Sequence, residues 1–135
     1  MALSTQDALI YLMIAAAFSD VDMTEKELDR IDALVGRLPV FEGFDRKSLA
    51  EVANRGIDEI NTLGGIEPLL DLAIAAIPAR LHDTAYALAV EIAAVDLSLE
   101  QEELRLLEMI RDRLKVDRLV TAAIEAAARA RLRRA

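Results

Sequence analysis

Residues 12–38 read LMIAAAFSDVDMTEKELDRIDALVGRL, and residues 88–114 read LAVEIAAVDLSLEQEELRLLEMIRDRL. Laid over each other at a shift of 76, without a gap, they match at Leu12/Leu88, Ala17/Ala93, Asp20/Asp96, Glu27/Glu103, Leu28/Leu104, Arg37/Arg113 and Leu38/Leu114. Leucine and alanine matches arise easily in a helical chain. The acids carry more weight, because they fall at the same place in both stretches, where one apolar-periodic run ends and the next begins. Each stretch reads as helix, tight acidic turn, helix. The expectation is an all-α fold of about seven helices, a compact bundle-like array that contains an internally duplicated helical hairpin.

Outward from these two stretches the helical punctuation continues. Ser4, with Asp7 three residues on, opens a first helix through Leu9, Leu12, Met13, Ala16 and Ala17. The second starts between Asp22 and Thr24, carries Leu28, Ile31, Leu34, Val35 and Leu38 inward, and stops at Pro39. Val40 to Phe44 reads as a loop, after which Asp45 caps a third helix with Leu49, Val52, Ala53, Ile57 and Ile60 inside and Gly64-Gly65 at its end. Pro68 fits the first turn of a fourth helix, which stops near Pro78, and a fifth runs from about Asp83 to Asp96. A sixth starts at Ser98 to Glu100 with Leu104, Leu107, Ile110 and Leu114 on one side, and Asp117 caps a seventh. Short connections favour antiparallel packing of consecutive helices, and no alternating strand pattern competes.

Composition agrees. The 135 residues form one domain, 1–135, and 54% of them are hydrophobic while only 4% are aromatic, which favours close-packed helices over sheet. Cysteine is absent, which removes disulfides and thiolate chemistry and fits a reducing, cytoplasmic setting. The net charge of -8 argues against nucleic acid, which needs a basic stripe. Arg129, Arg131, Arg133 and Arg134 close the chain, leaving 12 basic against 24 acidic side chains in the first 128 residues. At the end of the last helix these arginines complement the negative pole of its dipole. The apolar run from Ala8 to Phe18 is too short to cross a bilayer and reads as a buried helix face, so no transmembrane segment is expected.

Asp20 and Asp96 sit at helix C-termini, facing the negative pole of the dipole. Something positive must offset them: the amides opening the next helix, an arginine such as Arg30 or Arg105, or a bound cation. Glu27 and Glu103 are explained equally by first-turn capping. The cation reading gathers Asp20, Asp22 and Glu27 around one turn, with Asp96 and Glu103 in its counterpart, and such hard oxygen ligands suit Ca²⁺ or Mg²⁺. An EF-hand loop starting at Asp20 fails, since its sixth position is Glu25 and its twelfth Ile31.

The stretches Ala16 to Glu27 and Ala93 to Glu103 resemble those of the bacterial tellurite-resistance TerB-like domains. These are all-helical proteins whose two halves each carry Ala-x-Ala-Asp-Gly before a Glu-containing helix start. The resemblance extends through Pro78-Ala79-Arg80 and the leucine-rich sixth helix. It implies a stress-associated helical module with metal binding through Asp20, Glu27, Asp96 and Glu103. Where the family has glycine after the aspartate, this chain has Val21 and Leu97, which lack glycine's access to positive φ.

Enzyme signatures are missing. The one histidine, His82, has no Glu three residues before it and no second histidine to complete a zinc site, and it reads as an incidental residue near a helix start. There is no phosphate-binding glycine loop and no activated nucleophile. The expectation is a non-catalytic binding module with a protein partner or a homo-oligomer. The alternative is a metal-free structural interaction domain in which the acids only cap helices.

Overall fold

The computed structural model describes residues 3–17, 25–93 and 101–135, the first three of the last span in their backbone only. It contains seven α-helices and no strand among the described residues: α1 Thr5–Ala17, α2 Glu25–Arg37, α3 Leu49–Leu63, α4 Ile66–Ala75, α5 His82–Ala93, α6 Gln101–Arg113 and α7 Arg118–Leu132. Short 3₁₀ turns at Pro39–Phe41, Arg46–Ser48 and Ala79–Leu81 lie between them. No described helix is long and apolar enough to cross a membrane.

α1 is the axis. Every residue from Ala8 to Ala17 is buried, with Leu9, Ile10, Leu12, Met13 and Ile14 fully removed from solvent. A helix apolar on all sides needs neighbours on all sides, and α1 touches α2, α3, α4, α5 and α6. Its largest contacts are with α4 and α5 rather than with α2, the next helix in the chain, so burial of α1 overrides simple antiparallel neighbour packing. Gly56 lets α3 come close: a Cβ there would lie 3.2 Å from the side chains of both Ile14 and Tyr11. That close approach puts Gly56 on the inner face beside Val52, Ala53 and Ile60 and leaves Ile57 half-buried.

The punctuation behaves as its chemistry requires. Ser4 Oγ accepts the Asp7 amide at 3.1 Å. Gln6 Nε2 donates to the Val40 and Glu42 carbonyls, pinning the start of α1 to the turn after α2. α2 ends at Arg37 ahead of Pro39, and the following turn sends Phe41 into the core, edge-on to Phe44. Asp45 accepts the Lys47 amide at 3.0 Å, but it opens a 3₁₀ turn, and α3 proper begins at Leu49. Gly64, at φ 87°, closes α3 with the Gly64 and Gly65 amides both donating to the Ile60 carbonyl. Pro68 lies in the first turn of α4. Asp117 opens α7 through its carbonyl, which accepts the Thr121 amide, and its side chain makes no capping bond.

Two residues depart from the sequence expectation. Leu104 is 46% exposed, and the buried face of α6 is Leu106, Leu107 and Ile110, continued by Leu114. His82 is not incidental. It is buried, its Nδ1 accepts the Lys115 amide at 2.9 Å, and its Nε2 lies 2.9 Å from the Ile77 carbonyl. Because Nδ1 is an acceptor, Nε2 must carry the proton and donate, so a neutral imidazole staples the α4–α5 junction to the chain after α6. His82→Ala strands a carbonyl and an amide together, and urea unfolding should register a loss of about 3 kcal/mol. A loss below about 0.5 kcal/mol, the range of featureless surface positions, would contradict the staple.

The helix bounds also bear on the repeat. α2 ends at Arg37 and α6 at Arg113, 76 residues apart. Ile31 and Leu107 are both buried, as are Leu34 and Ile110. α1 and α5 pack on each other, α2 crosses onto α5, and α6 crosses onto α1.

Candidate functional site

Of the acids singled out in the sequence, Asp20, Asp22 and Asp96 lie outside the described residues. Glu27 stands half-buried in the first turn of α2, and Glu103 falls in the first turn of α6, where only the backbone is described. No group of three or more metal-ligating side chains occurs among the described residues.

The described residues do form a slot elsewhere. α2 and α7 both lie on α5 and leave between them an opening of about 450 Å³, with an adjoining space of about 110 Å³. α2 supplies Arg30, Ala33, Leu34, Arg37 and, just past its end, Leu38. α7 supplies Ile124, Ala127, Ala128, Arg131 and Leu132, and α5 forms the floor with Ala87, Leu88 and Glu91. Both walls use the same spacing, i, i+3, i+4, i+7, i+8, which is one face of a helix. Ala33, Ala127 and Ala128 keep the slot wide, while Leu34, Leu38, Leu88 and Ile124 make it apolar. Its volume lies in the range of sites that receive a ligand or a row of partner side chains.

The slot's rim is basic in an acidic chain. Arg131 pairs with Glu91 across the floor. Arg30 and Arg37 make no ion pair with any described residue. Arg113, which corresponds to Arg37 at the shift of 76, behaves differently. Its guanidinium donates to Asp71 Oδ1 at 2.8 Å, to Glu67 Oε1 at 3.0 Å and to the Met109 carbonyl at 3.1 Å, closing the seam between α6 and α4. Those carboxylates hold the Arg113 proton more tightly than usual.

α7 is set in place by a second polar group. The buried Tyr86 donates its hydroxyl to Glu125 Oε2 at 2.6 Å, and Arg111 approaches the same oxygen at 3.5 Å, so one carboxylate joins α5, α6 and α7. Thr121 and Ala128 bury the inner side of α7.

Sequence reading missed the slot. Leu34 and Leu88 lie in the core, with Leu38 packed against it, as their spacing requires, and the same side chains line the slot; Arg131, placed by its sequence to complement the helix dipole, pairs with Glu91. The available signal was the spacing of Arg30 and Arg37, seven apart on α2 or two full turns, so they share a face with Leu34. Compared with known protein families, curated proteins and solved structures, the chain finds no match in any of the three.

Burial, then the bond to Glu125, pushes the Tyr86 phenol well above its ordinary range, and burial raises Tyr11 as well. The unfolded chain ionises its tyrosines near pH 10. Above that pH the folded state holds more protons than the unfolded one, so stability is full below pH ~10 and falls as pH rises beyond it. Tyrosinate absorbance should therefore lag in the native protein relative to the urea-unfolded chain, and Tyr86→Phe should flatten the alkaline loss of stability. Coincident native and unfolded titrations would contradict burial of the phenols.

Proposed function

We propose that this chain is a non-catalytic helical binding module of the bacterial cytoplasm, of the TerB-like kind, and that it takes its ligand in the slot between α2, α5 and α7. The observation that carries this reading is the slot itself: an apolar opening between two helices, rimmed by Arg131, which Glu91 holds, and by Arg30 and Arg37, which pair with no described acid. Its residues include no cysteine, histidine or serine, and Glu91, its one acid, is committed to Arg131, so the lining suits recognition better than bond making. The resemblance of the two acidic stretches to TerB-like domains supplies the stress-associated, tellurite-resistance-like setting.

A photo-cross-linking side chain at Ala127, inside the slot, and in parallel at Ala122, exposed on the same helix, tests this in cells. An adduct of defined mass from position 127 alone is expected. Equal adducts from both positions, or none from 127, would count against the slot.

A second reading, binding of Ca²⁺ or Mg²⁺ at the turns carrying Asp20, Asp22, Glu27, Asp96 and Glu103, draws support from the recurrence of Asp20 and Glu27 as Asp96 and Glu103 at a shift of 76 in the sequence. A cation held only by the folded state stabilises it by about 2.7 kcal/mol at a hundredfold excess over Kd. Thermal unfolding of EDTA-treated protein should then rise with one of these ions, and the rise should vanish in Asp20→Asn or Asp96→Asn. No shift with either ion would leave the acids as helix caps.

A further inference from the structure

We propose that the occupant of the slot is an acidic amphipathic α-helix of a partner protein, seated along α2 with its apolar stripe on Leu34, Leu38 and Ile124 and its carboxylates on Arg30 and Arg37. This rests on reading the slot as the binding surface. Three observations carry it. First, Arg30 and Arg37 stand two turns apart, about 10 Å along the helix axis, with Leu34 between them. A single small anion meets only one of them, whereas a helix with acids flanking an apolar stripe meets both. Second, Arg30 and Arg37 line the slot together with Leu34 and Leu38, so guanidinium groups and apolar side chains stand on one face of α2.

Third, the protein already contains such a pairing. α6, in the register of α2, has Arg113 covered by α4, whose Glu67 and Asp71 lie one turn apart on a helix otherwise rich in leucine and isoleucine. α4 packs on α1 and reaches α6, while α7 packs on α5 and leaves the slot open beside α2. α7 brings Arg131 and alanines to that gap, and no acid. The covering helix that Arg113 has, Arg37 lacks, and the missing cover is an acidic amphipathic helix. Recognition of this kind lays an apolar helix face into a preformed groove while charge complementarity fixes partner and orientation.

The test uses the full chain and two designed helices of about three heptads, identical in their leucine stripe, one flanked by Glu and the other by Lys. Titration calorimetry should give a Kd in the micromolar range for the Glu helix and no measurable binding for the Lys helix. Arg30→Glu/Arg37→Glu, at a half-buried and an exposed position of α2, should weaken the Glu helix at least about tenfold and gain affinity for the Lys helix. Ala127→Trp should block both, with circular dichroism confirming the fold of each variant. Failure of the Glu helix to bind up to about 1 mM, or binding indifferent to the charge reversal, would overturn the proposal. So would sedimentation of the free chain as a dimer that Ala127→Trp dissociates, because the occupant would then be a second copy. If position 127 cross-links in cells while the Glu helix fails, the slot remains a binding surface and only the acidic-helix assignment falls.

Discussion

The burial of α1 on every side is the constraint from which the rest follows. Five large side chains in its middle, Leu9 to Ile14 with only Tyr11 not fully covered, leave no solvent-facing stripe. Each such burial is worth about 1.5–3 kcal/mol, so the chain gains most by surrounding this one helix before satisfying any other. That demand explains why α1 favours α4 and α5 over its own hairpin partner, why α3 needs a glycine at the contact, and why the remaining helices are amphipathic while α1 is not. Polar devices then lock junctions that apolar packing leaves undetermined: the neutral His82 between two helix ends, and the Glu125 carboxylate shared by Tyr86 and Arg111.

Wrapping one helix with five leaves some flanks uncovered. On the α6 side α4 closes the seam with two carboxylates on Arg113, and on the α2 side α7 stands off and presents alanines and Arg131. Arg37-Leu38 and Arg113-Leu114 stand 76 residues apart at the ends of α2 and α6, and what covers the two arginines differs. An uncovered arginine beside the half-buried Leu38 contributes little to folding, since charge attraction at the surface is weak and unpaired guanidinium gains nothing from the core. Retaining it makes sense where a ligand supplies the acid.

Sequence carried the local structure well because caps, prolines and glycines act within a few residues of themselves. Ser4, Pro39, Gly64-Gly65 and Pro68 mark helix ends through bonds made or forbidden locally. The apolar run at α1 was legible as buried, although its burial on every side required knowing that five helices surround it. What sequence did not carry depends on which tertiary partner covers a face. Leu104 and Leu106 are both leucines at helical spacing, and only the direction of α6 across α1 decides that the second is inside. His82 finds its partners five and 33 residues away. The slot consists of faces that spacing alone assigns to the core. The acidic turns that drew the metal reading lie largely outside the described residues, so the site most visible in the sequence and the site most visible in the structure are different ones.

The central claim is that Arg113 serves the fold and Arg37, its counterpart, serves a ligand. Replacing each with methionine, which keeps the apolar stem and removes the charge, and measuring urea unfolding of the free protein tests this directly. Arg113→Met should lose about 1 kcal/mol, the upper range for a partly exposed pair of salt bridges, while Arg37→Met should leave stability unchanged or slightly raised. Equal losses at both positions would mean that Arg37 is a structural residue too, and the account of the slot as a face awaiting its acidic cover would be wrong.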